Sequence, residues 1–150
     1  MSQPFGFSEE VHAAALQLLR APISTQPILS SWNHLLDYLH ASLAHSPIEK
    51  FHVLYLDRRN RLIVDQTLGV GTIDHVPVYP REVCRHAILN NASAVIIAHN
   101  HPSGDPAPSP EDKIMTKKLH KALQTLDITL HDHVIIGHGG QYSFRAHGDL

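Results

Sequence analysis

The stretch Ala94-Val95-Ile96-Ile97-Ala98, followed at once by His99-Asn100-His101, decides the fold and the chemistry expected of this chain. Its first five residues are wholly apolar, which is typical of a short strand buried on both faces of a sheet. The residues that follow, 99–110, are rich in Pro, Gly and Asp and predict a loop. Functional groups commonly lie where the central strands of an α/β sheet end. The two histidines therefore stand where a site is expected.

The segments around this strand alternate between helical and extended patterns. Helices are predicted over residues 9–21, from Ser30 or Ser31 to the break at Ser46-Pro47, over 81–89 after Pro80, and over 111–126. The first is expected to end before Pro22 and to carry Val11, Ala15, Leu18 and Leu19 on one apolar face. Further strands are predicted over residues 49–57, 61–68, 132–136 and 141–145. This order, with about six strands, predicts a single-domain α/β fold in which helices flank a mixed β-sheet.

The bulk composition excludes several classes of protein. At 150 residues, 43% of them hydrophobic and 17% charged, the chain resembles one soluble globular domain. A net charge of −2 provides no overall positive field to recruit nucleic acid or an anionic membrane. No apolar run is long enough for a membrane span. The single cysteine, Cys84, excludes an intramolecular disulfide and a zinc site built from several thiolates. We therefore expect a cytoplasmic protein.

The spacing of two among the 14 histidines predicts a metal site. In extended backbone, residues two apart point the same way, so His99 and His101 can converge on one point. Asp112 opens the next helix and can add a carboxylate. Two imidazoles, one carboxylate and a position left open for water suit a catalytic zinc ion. Because bound zinc lowers the pKa of its water to about 7, the pattern predicts a zinc-dependent hydrolase.

Ser109 admits two interpretations. Its hydroxyl can stabilise the oxyanion of a tetrahedral intermediate. Ser109-Pro110-Glu111-Asp112 is also a helix capping box with proline in the first helical position, which is a purely structural pattern. The two roles can coexist.

The chain resembles a known family. His99, His101, Ser109 and Asp112 match the His-x-His-x7-Ser-x2-Asp signature of the JAMM metalloproteases, which belong to the MPN superfamily. Several stretches around the signature are similar to the bacterial RadC branch of that superfamily, at residues 51–57, 60–63, 71–74, 78–83 and 98–105. The resemblance extends over residues 30–144.

The resemblance implies a cytidine-deaminase-like MPN/JAB fold over residues 30–150, with residues 1–29 as an N-terminal helical extension. It implies Zn²⁺ on His99, His101 and Asp112, and cleavage of a peptide or isopeptide amide in a peptide or protein substrate. The family's catalytic glutamate falls at Glu49, which would be the general acid/base; Glu82 is a rival inside a helix. RadC-type proteins usually carry DNA-binding helix-hairpin-helix segments ahead of this domain. The residues before Ser30 are too few to hold them, which weakens a role in DNA repair.

Two other functions compete with hydrolysis. A non-catalytic module that binds protein or DNA would use basic surfaces such as Lys113, Lys117, Lys118 and Lys121, although such a row is more typical of a solvated helix face. A non-haem iron enzyme also uses two histidines and one carboxylate. A second His-x-His pair, His131 and His133, begins a strand, so we expect structural or supporting roles, with His133 hydrogen-bonding a ligand near the site.

Overall fold

The computed structural model describes residues 9–71 and 77–150, and within those ranges five strands form one sheet. The strands are β1 (Lys50–Leu56), β2 (Leu62–Val70), β3 (Ala94–Asn100), β4 (Thr129–Ile136) and β5 (Gln141–Ser143). They lie in the order β2-β1-β3-β4-β5. β3 and β4 are parallel, and the other neighbouring pairs are antiparallel. The predicted mixed sheet is confirmed, with the wholly apolar stretch as its central strand.

Helices cover both faces of the sheet. They are α1 (Glu9–Thr25), α2 (Trp32–Leu43), α3 (Pro80–Leu89) and α4 (Pro110–Gln124), and a short 3₁₀ turn, Ile28–Ser31, precedes α2. Proline occupies the first position of both α3 and α4, where its missing N–H has no helical partner to lose. No helix in the described ranges combines the length and hydropathy needed to cross a bilayer.

The predictions for α1 were wrong in two respects. The helix continues through Pro22 to Thr25, and it buries Ile23 completely in its last turn. Of the residues expected on one apolar face, Val11 and Leu18 are 49% and 77% exposed, whereas Leu16 and Leu19 pack on the core. Ala15 is also exposed. Leu16, Leu19 and Ile23 form one helical stripe, so the burial of Ile23 offsets the cost of an internal proline and selects the buried face.

Alternating side chains divide the core into two layers, one on each face of the sheet. Beneath α1 and α2 lie Leu54, Ile96 and Val134 with their neighbours, and beneath α3 and α4 lie Val53, Val95 and Ile97 with theirs. β3 is buried over its whole length and supplies both layers. His99 continues the series of Val95 and Ile97, and it therefore lies on the face that α3 and α4 cover. Residues 72–74, part of the stretch 71–74 that resembles the RadC branch, lie outside the described residues.

Candidate metal centre

His99 and His101 stand at the carboxyl end of β3. The strand runs two residues further than predicted, to Asn100, so that His99 is held in extended backbone opposite Phe51 of β1. The His101 N–H donates to the carbonyl of Ile136 at 3.0 Å, which fixes the residue against β4. The two imidazoles converge as the spacing predicted, and their Nε2 atoms lie 3.1 Å apart.

Asp112 reaches the same point from the first turn of α4. Ser109 Oγ accepts a hydrogen bond from the Asp112 N–H at 3.0 Å, and the Ser109 N–H donates to Asp112 Oδ2 at 2.9 Å. The predicted capping box is therefore confirmed. Asp112 Oδ1 lies 3.3 Å from Nε2 of His99, and Oδ2 lies 3.1 Å from Nε2 of His101. The cap aims the Asp112 carboxylate at both histidines. The capping box therefore both begins α4 and brings Asp112 into the cluster.

Glu49 adds a second carboxylate to the cluster. It directly precedes β1 and is only 8% exposed, and its carbonyl accepts from the Gly71 N–H at 2.9 Å. Its Oε1 lies 3.9 Å from His101 Nε2. Glu49, His99 and His101 offer ligand atoms close enough together to hold one metal ion. The rival Glu82 instead pairs with Arg85 on α3, at 2.9 Å.

In neutral rings, the histidine nitrogens that point at the Asp112 carboxylate are hydrogen-bond acceptors, like the carboxylate oxygens that they face. His101 Nδ1 lies 2.9 Å from the Asp105 carbonyl, which can only accept, so this nitrogen carries the ring hydrogen. In the neutral ring, Nε2 then points a lone pair at the Asp112 carboxylate. Such an arrangement is repulsive unless a cation lies between the two groups. Imidazole nitrogen and carboxylate oxygen are suitable ligands for a borderline divalent metal, so the residues present fit a metal ion.

The pKa shifts indicate the same demand for positive charge. Burial raises the pKa of Asp112, but the hydrogen bonds with His101 and His99 outweigh it and hold the pKa well below the usual range. Burial lowers the pKa of His101, but the contacts with Asp112 and the Asp105 carbonyl outweigh it and raise the pKa above 6.5. Both shifts favour positive charge between His101 and Asp112, and a divalent cation would supply it.

The loop after His101 depends on one glycine. Gly104 has a φ of +92°, and a Cβ there would lie 2.4 Å from Nδ1 of His138. Its N–H donates to the His101 carbonyl at 2.9 Å, and its own carbonyl accepts from the His138 N–H at 3.0 Å. This turn places the Asp105 carbonyl beside the His101 ring. Gly104 therefore helps to orient His101.

Two further residues support His99 from behind. His133 of β4 is fully buried, and its Nε2 lies 2.8 Å from His99 Nδ1, which is the hydrogen-bond contact that the sequence predicted for it. Its partner in the motif, His131, points elsewhere and contacts Asn60. Thr116 of α4, 1% exposed, was missed; its Oγ1 lies 2.6 Å from His133 Nδ1. The sequence signal for its burial was its spacing: Thr116 lies three residues before Leu119 and seven before Leu123, on the same buried face of α4.

The row of lysines on α4 lies on the surface of the protein. Lys113, Lys117, Lys118 and Lys121 are all exposed, as a solvated helix face requires. Cys84 is half-buried against the core beneath α3, and burial raises the pKa of its thiol. Neither feature contributes a side chain to the cluster at the end of β3.

Comparisons with known proteins agree with the motifs. A profile of the RadC-like JAB domain matches residues 29–149. A UPF0758 protein from Rhodobacter capsulatus is 54% identical over 140 residues, which cover 93% of this chain and 65% of that relative. A UPF0758 protein from Ruegeria pomeroyi is 51% identical over 140 residues, 93% of this chain and 62% of that relative. The chain thus spans less than two thirds of either relative, and it belongs to the RadC-like JAB domain family.

Proposed function

We propose that this domain is a zinc-dependent hydrolase that cleaves a peptide or isopeptide amide. The observation that carries the proposal is the convergence of two imidazole nitrogens and one carboxylate within 3.1–3.3 Å of one another. Zinc held there would polarise the scissile carbonyl and lower the pKa of a bound water to about 7. His99, His101 and Asp112 would hold the ion and leave its remaining position open.

The two carboxylates take different roles in this proposal. Asp112 contacts both histidines within 3.3 Å, whereas Glu49 lies farther from them, at 3.9 Å from His101 Nε2 and within 4.8 Å of the His99 ring nitrogen. We therefore assign Asp112 as a ligand and Glu49 as the general acid/base. Glu49 stands beside the ligand set, where it can accept a proton from the attacking water and donate it to the leaving amine.

Ser109 supplies a hydrogen-bond donor next to the centre. Its oxygen accepts the Asp112 N–H with one lone pair, so its own hydrogen can be donated outward. A donor in that position would stabilise the negative charge that develops on the carbonyl oxygen during amide cleavage. The cap and the oxyanion donor use different atoms of one hydroxyl, which allows both roles.

Substitution of Glu49 by glutamine tests the assignment. The probe is a mixture of internally quenched peptides, incubated with protein that was purified anaerobically, analysed for bound metal and loaded with zinc. We expect Glu49→Gln to retain wild-type zinc affinity and to lose cleavage by about 10²–10⁴-fold, the usual contribution of a general acid/base. Glu82→Gln is the matched control and should cleave at the wild-type rate, because Glu82 pairs with Arg85 instead.

Three results would contradict the proposal. Full activity of Glu49→Gln would exclude Glu49 as the acid/base. Loss of zinc from that variant would make Glu49 a ligand. A zinc-loaded wild-type protein that cleaves no member of the peptide mixture would remove the support for peptide hydrolysis.

A further inference from the structure

A continuous path of hydrogen bonds joins Asp112 to His99 behind the metal centre. Thr116 Oγ1 lies 2.6 Å from the Asp112 carbonyl oxygen and 2.6 Å from His133 Nδ1. His133 Nε2 lies 2.8 Å from His99 Nδ1. The path begins and ends on two of the proposed ligands, which come from different elements of the fold. We call Thr116 and His133 the relay pair.

The direction of every hydrogen on this path follows from its first bond. The Asp112 carbonyl can only accept, so the single hydroxyl hydrogen of Thr116 is donated to it. His133 Nδ1 must then carry a hydrogen and donate to Thr116 Oγ1. Full burial makes protonation of His133 unfavourable, since no carboxylate contacts its ring in the described part of the chain. The ring is therefore neutral, and its Nε2 accepts from His99 Nδ1.

The last step concerns the face of His99 that points into the centre. With its hydrogen on Nδ1, the neutral ring has a bare Nε2, directed at Asp112 and His101. If Thr116 instead donated to His133, the bond to the Asp112 carbonyl would be lost and the two bonds made by the His133 ring would reverse. His99 would then carry its hydrogen on Nε2, where it would block a metal ion.

The packing around His133 prevents its ring from leaving this arrangement. Phe144 stacks on the ring with centroids 4.5 Å apart and planes only 11° from parallel. The His133 N–H donates to Asp132 Oδ1 at 2.8 Å, and the His133 carbonyl accepts from the Phe144 N–H at 3.0 Å. Backbone and ring are thus held independently of any metal.

We propose that Thr116 and His133 are positioning residues that fix His99 with its hydrogen on Nδ1 and so keep its Nε2 available to zinc. This inference rests on the proposed zinc site. Metal-bound histidines commonly donate their second nitrogen to a carboxylate or a carbonyl. Here a neutral imidazole takes that place, and the single hydroxyl of Thr116 decides its direction.

The experiment compares Thr116→Val, which replaces the hydroxyl by a methyl group of similar size, with Thr116→Ser, which retains it. Nitrogen-15 NMR of the histidine rings at pH 8, in metal-free protein, reports which nitrogen carries each hydrogen. We expect Nδ1–H on His99 and His133 in the wild type and in Thr116→Ser. Thr116→Val should lose this pattern. Its zinc affinity, measured by competition with a chelator, should fall by about 10–100-fold, while Thr116→Ser binds like the wild type.

The outcomes separate this inference from the proposed function. A wild-type spectrum with the hydrogen on Nε2 of His99 or His133 overturns the relay, and no variant is needed to see it. A Thr116→Val protein with wild-type hydrogen positions and wild-type zinc affinity also overturns it. If the wild type binds no zinc, the proposed function fails, while the metal-free spectrum still decides the direction of the relay.

Discussion

Among the described residues, two clusters of histidine and carboxylate lie on opposite faces of the same sheet, and their hydrogen bonds differ in arrangement. The candidate metal centre consists of His99, His101, Asp112 and Glu49. The second cluster, which we call the His52 cluster, consists of His52, Asp65, Tyr38 and Thr67. In the His52 cluster, Asp65 Oδ1 lies 2.8 Å from His52 Nδ1, Asp65 Oδ2 accepts from the Tyr38 hydroxyl, and His52 Nε2 lies 3.3 Å from Thr67 Oγ1.

The difference lies in the direction of the hydrogen bonds and not in the residue types. Each polar group of the His52 cluster has a complementary partner within the cluster, which ties α2 to β1 and β2. Burial, then the charge of Asp65, raise the pKa of Tyr38, so its hydroxyl stays a donor. In the candidate metal centre, the Nε2 atoms of His99 and His101 face the Asp112 carboxylate, and neutral rings with their hydrogens on Nδ1, as inferred above, have no hydrogen to donate to it. A cluster whose hydrogen bonds are all satisfied by its own members stabilises the fold. A cluster whose acceptors face one another is suited to bind a cation.

The comparison predicts the largest effect for zinc binding. We expect Asp112→Asn to weaken zinc affinity by at least about 100-fold, because loss of a ligand exceeds the 10–100-fold effect usual for a group that only supports one. Asp65→Asn, the matched control, should bind zinc like the wild type. At a hundredfold excess over Kd, zinc should stabilise the wild type and Asp65→Asn by about 2.7 kcal/mol in urea denaturation. Equal stabilisation of Asp112→Asn would show that the two clusters do not differ in this way.

The converse prediction concerns stability without metal. Asp65→Ala leaves the Tyr38 hydroxyl and the His52 ring without their partner, and both groups are largely buried. We expect the free energy of unfolding to fall by about 2–3 kcal/mol, the usual cost of stranded buried polar groups, while zinc affinity is unchanged.

Thr67→Val is the control for Asp65→Ala. Thr67 lies at the exposed end of the cluster, and its loss should change stability by less than about 0.5 kcal/mol. If Asp65→Ala released zinc, or cost no more stability than Thr67→Val, the His52 cluster would not be the structural element described above.

Features with local signals were predictable from the sequence. The apolar run of β3, the two-residue histidine spacing and the cap of α4 each depend on neighbouring residues, and the structure bears them out. Features that depend on distant partners were not. The buried face of α1 is selected by Ile23 beyond a proline. Thr116 acquires its function from His133, on a different element. Glu49 could be identified only through the family resemblance, because nothing in its local sequence indicates that β1 places it beside His101.

The smallest effect concerns the cap that orients Asp112. Ser109→Ala removes the acceptor of the Asp112 N–H and should lower the free energy of unfolding by about 1 kcal/mol, whereas Ser109→Gly should cost only a few tenths. The backbone N–H of residue 109 still donates to Asp112 Oδ2 in both variants, so the carboxylate keeps its direction and zinc affinity should change by less than about tenfold. Urea denaturation and chelator competition measure the two quantities separately. A collapse of zinc binding in either variant would show that the side chain of Ser109, and not the backbone alone, holds the ligand in place. Equal loss of peptide cleavage in the two variants, despite their unequal stabilities, would assign that loss to the missing hydroxyl.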